Sequence, residues 1–469
     1  MNSNAEGNIA GNKNKNENKN KSRNRRRNAK KLFRLRLILE GCGVGIGAGL
    51  SVGLFRYLLT VSEEWRLLVY ECVRQAALQG DWLLPVLYGA AFVLAAWLLA
   101  KIVAVEPMCT GSGIPQVKGI LMGRMSMNWL SVLAAKIAGG VLAIGAGMSL
   151  GREGPSVQIG ACAGQGIGRL NHREGRGLEA RTLLVAGSGA GLAAAFNAPL
   201  AGVIFGLEEL QKTFSPAALP AAITGAVTAT AVTELFFGGS PVFTLGSLVP
   251  MPLDMLGWLA GLGLFVGLLG RGFNKSLLFS LDLYQRMGLV GIYRPLLPLL
   301  LAAVLGFVLP EILGGGNRLV DALAVEDHSL SFLCLLFVGK FLFTMLCFGS
   351  GVPGGIFLPM LVLGALGGAV FGSLLSGAGL LPPVYMADMI VFGMAAYFSV
   401  VVKSPVTGSV LIMEMTGSFQ HMLALLIVSL SAYAVSELTG GRPVYNELLE
   451  RMLRKMSRRK RISPEELTK

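Results

Sequence analysis

The feature that most constrains this chain is how often it runs apolar for about the length of a bilayer crossing. Stretches near the ~20 residues that a spanning helix needs recur at 37–60, 83–105, 129–150, 182–206, 217–237, 255–270, 295–314, 331–348, 356–377 and 422–440. In hydrocarbon every backbone N–H and C=O must be bonded within the protein, which leaves helices or closed barrels. No run of ~10-residue alternating strands competes with the helical reading. Only 14% of residues are charged, against about 25% in soluble domains. The expected class is an all-α polytopic membrane protein.

The formal charge of +14 sits at the two ends. Residues 1–36 hold 12 basic and 2 acidic residues, residues 451–469 hold 8 and 2, and the body between them is at −2. Nucleic acid is not the expected partner, because the basic ends lack interleaved aromatics and flank apolar spans. The positive-inside rule explains them instead and places both termini in the cytoplasm. The Asn/Lys/Arg tract 11–31 reads as disordered. It is not a cleaved signal peptide, since no small-residue cleavage site follows its apolar segment. The acidic segment 62–82 reads as external, and the basic segments 169–181 and 271–294 as internal. Six cysteines (42, 72, 109, 162, 334 and 347) are scattered in mostly apolar surroundings. They suit small hydrophobes rather than a disulfide framework or metal site.

Two stretches echo each other, "GSGIP" at 111–115 and "GSGVP" at 349–353, 238 residues apart. Each lies close to a second Gly/Pro cluster, "GREGP" (151–155) and "GGIFLP" (354–359). Paired, Gly/Pro-interrupted apolar segments point to an internally repeated transporter with its site near the bilayer midplane. The expected division is a basic tail (1–32), a first repeat (33–237), a connector (238–254), a second repeat (255–442) and a C-terminal helix with a short basic tail (443–469). Pro115, Pro155 and Pro359 close their clusters, and Pro443 precedes Tyr445. Proline is favoured in the first helical turn, so several helices are expected to start inside the membrane with their positive ends converging. Such a point binds an anion without a full buried positive charge.

One carboxylate stands out in this setting. Residues 137–150 carry no charge, and after Glu153 none follows until Arg169. An ionisable residue inside a membrane is a functional candidate by default, although pairing with Arg152 or Lys136 would also account for it. Lys136, Lys340, Lys403 and Glu414 are further membrane-region charges with no role assigned from sequence.

"GSGIP", "GREGP", "GSGVPGGIFLP" and "GGRPVY", in this order, resemble the CLC family of chloride channels and proton-coupled chloride transporters. "AAAFNAPLAGVIFGLEE" (193–209) and "KSPVTGSVLIMEMTG" (403–417) fit it too, so the resemblance covers about residues 37 to 460. It implies two inverted-topology repeats of tilted and broken helices, assembled as a homodimer in the inner membrane with one pathway per subunit. It implies that the hydroxyls of Ser112 and Tyr445 contact a central anion, with the backbone amides of Ile356 and Phe357, and that Gly154 faces an outer site. A serine at 112 resembles chloride-selective members. Glu153 resembles the gating glutamate: ionised, it occupies the anion's place, and protonated, it leaves. Glu209 resembles the inner proton-transfer glutamate of exchangers, where channels carry a non-acidic residue. The resemblance therefore implies chloride/proton exchange, with chloride and protons as the transported ions, the bilayer as surroundings and no cofactor. A departure lies at Gln116 and Lys118, where well-known bacterial exchangers carry acidic residues. A chloride channel on the same scaffold, or an exchanger for nitrate or fluoride, is the alternative.

An enzyme reading has thinner support. "GMSLG" (147–151) matches G-x-S-x-G and would make Ser149 a nucleophile, but a hydrolase needs a positioned base. Of the three histidines, His172 and His328 lie in charged loops and His421 at the start of a span. "GAGLAA" (189–194) lacks the strand context of a dinucleotide fingerprint, and no GxxxxGK[ST] stretch suggests an ATP-driven pump.

Overall fold

The computed structural model describes residues 3–170, 177–212, 218–243, 245, 248–252 and 255–461. Their architecture is all-α, with no strand longer than an isolated bridge among them. The first eight helices are α1 (Ser3–Leu78), α2 (Leu83–Val105), α3 (Ile114–Leu121), α4 (Trp129–Gly145), α5 (Glu153–Leu170), α6 (Leu178–Phe196), α7 (Pro199–Phe205) and α8 (Leu219–Phe237). The next eight are α9 (Leu256–Arg286), α10 (Tyr293–Val308), α11 (Asn317–Val325), α12 (Leu330–Gly349), α13 (Phe357–Gly377), α14 (Met386–Val402), α15 (Pro405–Thr416) and α16 (Met422–Leu438). A final helix, α17 (Val444–Arg461), follows. Among the described residues eight helices are long and apolar enough to cross a bilayer.

Local chemistry explains where the helices break. The apolar run 182–206 is not one span: Asn197 ends α6 in the left-handed region (φ +54°), and Pro199 opens α7. Lys403 (φ +62°) and Pro405 do the same between α14 and α15. A proline lacks the N–H that would continue the preceding helix, while its own first-turn position needs none.

Packing then sorts the helices by depth. The most apolar windows of α13 and α14 are 78% buried against 22% for α2, so the former are central and the latter faces outward. Close approach of α13 to α14 depends on small residues: a Cβ on Gly364 would lie 2.6 Å from the carbonyl oxygen of Gly393. Gly160 and Gly187 make the equivalent contact between α5 and α6. Such glycine-lined seams replace the hydrophobic drive that is missing in lipid.

The charged segments are largely helical. The segment 62–82 is carried by α1 as far as Leu78, and its Arg66 donates toward the carbonyls of Ile144 and Gly145 at the end of α4. Likewise α9 carries the basic segment after 271 as helix as far as Arg286. The tract 11–31 lies on the N-terminal part of α1.

The repeat is real, but its register differs from the 238-residue echo. Element by element, α1–α8 match α9–α16, with corresponding residues 203 to 206 apart. Pro155 thus corresponds to Pro359, Pro199 to Pro405 and Glu208 to Glu414. "GSGIP" corresponds to the glycine turn 314–316, not to "GSGVP". Gly113 (φ +88°) and Gly316 (φ +99°) cap α3 and α11 in the same left-handed conformation. Lys136 and Lys340 each hold the turn before those helices. Lys136 Nζ donates to Cys109 O and Gly111 O, both at 2.7 Å, and Lys340 Nζ to Ile312 O and Gly314 O at 3.0 and 2.8 Å.

Two contacts mark the pseudo-two-fold axis. Gly151 and Gly355, equivalent residues, exchange backbone hydrogen bonds of 2.6 and 2.8 Å in an antiparallel bridge. Equivalent residues that contact each other lie on a two-fold, and the two repeats run in inverted senses across it. The second contact is a reciprocal cap. Glu208 Oε2 accepts from the amide and hydroxyl of Thr407 on α15 at 2.7 and 2.5 Å. Glu414 accepts from the amides of Leu200 and Ala201 on α7 at 3.1 and 2.7 Å.

Removing one cap leaves first-turn amides without their acceptor, at up to ~1–3 kcal/mol for an unsatisfied group. Glu414→Ala is expected to lower the thermal midpoint of the detergent-solubilised protein, and Glu414→Gln to recover part of the loss through its one carbonyl oxygen.

Candidate anion site where helix starts meet

The motif clusters that begin α3, α5 and α13 are tied together by backbone. Gly111 N donates to Val352 O and Gly354 N to Gly111 O, both at 3.1 Å, while Gly151 and Gly355 close the other pair. Lys136 and Gln158, whose Nε2 donates to Met108 O at 2.9 Å, brace the turn 108–112 from beneath. Gly113 is needed at its position, since φ +88° disfavours any side chain and a Cβ would strike Gln158.

This turn presents Ser112, which is 2% exposed and whose Oγ has no hydrogen-bond partner. Gly154 lies directly against it: a Cβ there would come within 2.8 Å of Ser112 Cβ. Tyr445, in the first turn of α17, is fully buried, and its hydroxyl also has no partner. α17 packs on α3, and Tyr445 lies within electrostatic reach of both Glu153 and Glu209. Ile356 and Phe357 are buried at the start of α13. The Phe357 ring packs on Phe196 and Phe398 at centroid distances of 5.4 and 5.0 Å, leaving its backbone for the site.

Glu153 completes the cluster. Its carboxylate is 0% exposed, and neither oxygen has a hydrogen-bond partner among the described residues. Arg152 Nε lies 3.8 Å away, and the backbone amides of Leu358 and of Glu153 itself are its nearest donors, short of full hydrogen-bond geometry. Lys136 is not its partner, since its ammonium donates to the carbonyls of Cys109 and Gly111. On the Arg152 side lies an open cavity lined by Glu63, Arg66, Arg152, Asn317 and Leu358 among others.

Buried polar atoms are nearly always bonded, so the unpartnered oxygens of Ser112, Tyr445 and Glu153 call for explanation. All three stand at helix starts. The N-termini of α3 and α13 have no side-chain cap, whereas those of α7 and α15 are already occupied by Glu414 and Glu208. Neutral hydroxyl donors beside uncapped helix starts suit a small anion. Glu153 is a tethered anion in the same neighbourhood.

The second buried carboxylate, Glu209, sits on a π-helical turn, Gly206–Gln211, that follows α7. Lys118 Nζ donates to its Oε1 at 2.6 Å and Ser404 Oγ to its Oε2 at 3.2 Å. The two departures noted in the sequence thus separate. Lys118 engages Glu209, while Gln116 only braces the turn through Thr110 O at 2.6 Å. Sequence reasoning missed Ser404 and gave Lys136 and Lys340 no role. Their 204-residue spacing, the same as that of Pro155 and Pro359, was the available signal.

Other candidates are drawn into structural contacts. Ser149 Oγ lies 2.8 Å from Thr344 Oγ1, and its amide faces Cys347 Sγ. His421 bonds Ser418 and Val249 O and lies 3.2 Å from Asp388 Oδ1, pinning the connector to α14 and α16. His172 lies outside the described residues. Among the described residues no group of His, Cys, Asp or Glu is placed to hold a metal, and the six cysteines are free.

The chain is similar to known transport proteins in sequence and fold. The H(+)/Cl(-) exchange transporters ClcA of Citrobacter koseri and Salmonella agona are 37% identical over 391 residues, 80% of each chain. A slow cyanobacterial Cl-/H+ antiporter of known structure superposes with a TM-score of 0.80 at 33% identity, covering 90% of this chain and 99% of that one. A eukaryotic CLC transporter superposes with a TM-score of 0.72 at 27% identity, covering 90% and 74%. A CLC-type fluoride/proton antiporter, 23% identical with a TM-score of 0.70 over 86% and 95%, shares the fold. The family model for voltage gated chloride channels matches residues 89–437, and the chain belongs to that family, the CLC proteins.

Proposed function

We propose that this chain exchanges chloride for protons across the inner membrane, as a homodimer with a pathway in each subunit and both termini in the cytoplasm. The observation that carries the reading is Glu153: a fully buried carboxylate without a hydrogen-bond partner, at a helix start beside two unpartnered hydroxyls. A carboxylate in that place competes with a halide for the same donors. Once protonated it has no charge to hold it there, and the ion can pass. Ser112 and Tyr445 frame the central ion, with the amides of Ile356 and Phe357 beside them and Gly154 toward the outer cavity. Glu209 receives protons from the inner side. The relatives named as exchangers support this reading over a passive channel.

Vesicles loaded with chloride test it, with valinomycin and potassium holding the voltage. Chloride efflux is expected to draw protons inward, against their own gradient if necessary. Chloride efflux without proton movement would make the protein a channel, and a preference for nitrate or fluoride in the same assay would reassign the ion.

Glu153→Gln is expected to pass chloride while proton movement stops, because the amide mimics the protonated gate and cannot cycle. Glu209→Gln is expected to reduce proton movement by about 100-fold or more, the scale of removing a positioned proton-transfer group, with chloride flux largely kept. Unchanged proton transport in that variant would remove Glu209 from the pathway. Lys136→Met frees the two carbonyls behind Ser112. Chloride affinity by calorimetry is expected to weaken about tenfold, or ~1.4 kcal/mol.

A further inference from the structure

The helix that presents Ser112 at its start carries an ammonium at its end. Lys118, on the last turn of α3, is 5% exposed and Glu209 2%, and their 2.6 Å contact is a buried ion pair. The groups around it are otherwise engaged or of the wrong sign. Ser404 is on the second oxygen of Glu209. Glu208 caps α15, and Lys403 pairs with Glu437 at 2.7 Å. Lys212 and the Tyr445 phenol are the remaining titratable neighbours of the pair, and α17 meets α3 through Leu449 beside Gly119. Toward α5 the charged group is Glu153, itself placed at the anion site.

We propose that Lys118 is a conditional anion site at the inner mouth. While Glu209 is ionised, the ammonium is neutralised and binds nothing else. When Glu209 takes up a proton, Lys118 becomes a buried charge without a partner, a strongly unfavourable state. The counter-ion at hand in an anion pathway is the transported halide. The inner mouth then stays electrically neutral, because a proton on the carboxylate is matched by a chloride on the lysine. The flexible four-carbon stem of lysine lets the ammonium shift to meet the ion. This inference rests on Glu209 as the inner proton station and adds an anion to the same place.

Halide binding to the purified full-length protein tests it, with calorimetric stoichiometry and bromide anomalous maps of crystals. Glu209→Gln mimics the protonated carboxyl and is expected to bind one more halide per subunit than wild type, in contact with Lys118 Nζ. Glu209→Gln/Lys118→Met removes both charges and is expected to return to the wild-type count, and Glu209→Gln/Lys118→Arg to keep the extra ion. Equal counts with and without the lysine, or no bromide beside Lys118 in Glu209→Gln alone, overturn the proposal. The second of these needs no folded double variant. Exchange itself fails on a separate observation, the absence of proton movement in wild-type vesicles. A lysine-dependent halide would survive that result as a plain anion site.

Discussion

Two peptide groups hold this molecule's centre. Gly151 and Gly355 donate to and accept from each other at 2.6 and 2.8 Å, which satisfies four backbone polar atoms where no water is at hand. A Cβ on Gly355 would crowd Gly151 O and Gly154 N at 3.2 Å, so the pair is confined to residues without side chains. Because this bond sits on the pseudo-two-fold axis, it sets the starts of α5 and α13 face to face. The parallel bridge from Gly111 to Pro353 brings the start of α3 to the same knot. The arrangement of Ser112, Glu153, Ile356 and Phe357 follows from those few hydrogen bonds.

The scaffold is symmetric and the chemistry is not. Glu153 corresponds across the axis to Phe357, Glu209 to Met415, Ser112 to Gly315 and Lys118 to Asp321. The residues that keep their identity either satisfy backbone groups, as do Gly151 and Gly355, Glu208 and Glu414, Lys136 and Lys340, or shape the helix starts, as do Pro155 and Pro359 or Gly113 and Gly316. Duplication thus supplied two equivalent cradles of helix starts, and only one received a carboxylate, a hydroxyl and a paired lysine.

Much of this was legible in the residues. The apolar runs marked most of the spanning helices, and the proline-ended clusters marked the helix starts, because both signals are local. The span at 386–402 escaped the list of apolar runs, and α5 did so because glycines and glutamines interrupt its hydropathy. The register of the repeat was misread, since "GSGVP" copies the letters of "GSGIP" whereas the structural equivalent, 314–316, copies only its backbone conformation. The helical course of 62–78 was hidden by its charges, of which Arg66 turns inward to carbonyls. Side-chain partners across long sequence separations, Lys118 with Glu209 or Glu414 with α7, had no local signature at all.

The exchanged caps between α7 and α15 carry a mechanical meaning. Each helix is fastened by a carboxylate rooted in the other, so sliding or tilting either one uncovers the amides of Leu200, Ala201 and Thr407 together. A latch of that kind resists the rocking of one half against the other that alternating access ordinarily uses. Motion of single side chains, unlike motion of either helix, leaves both caps in place.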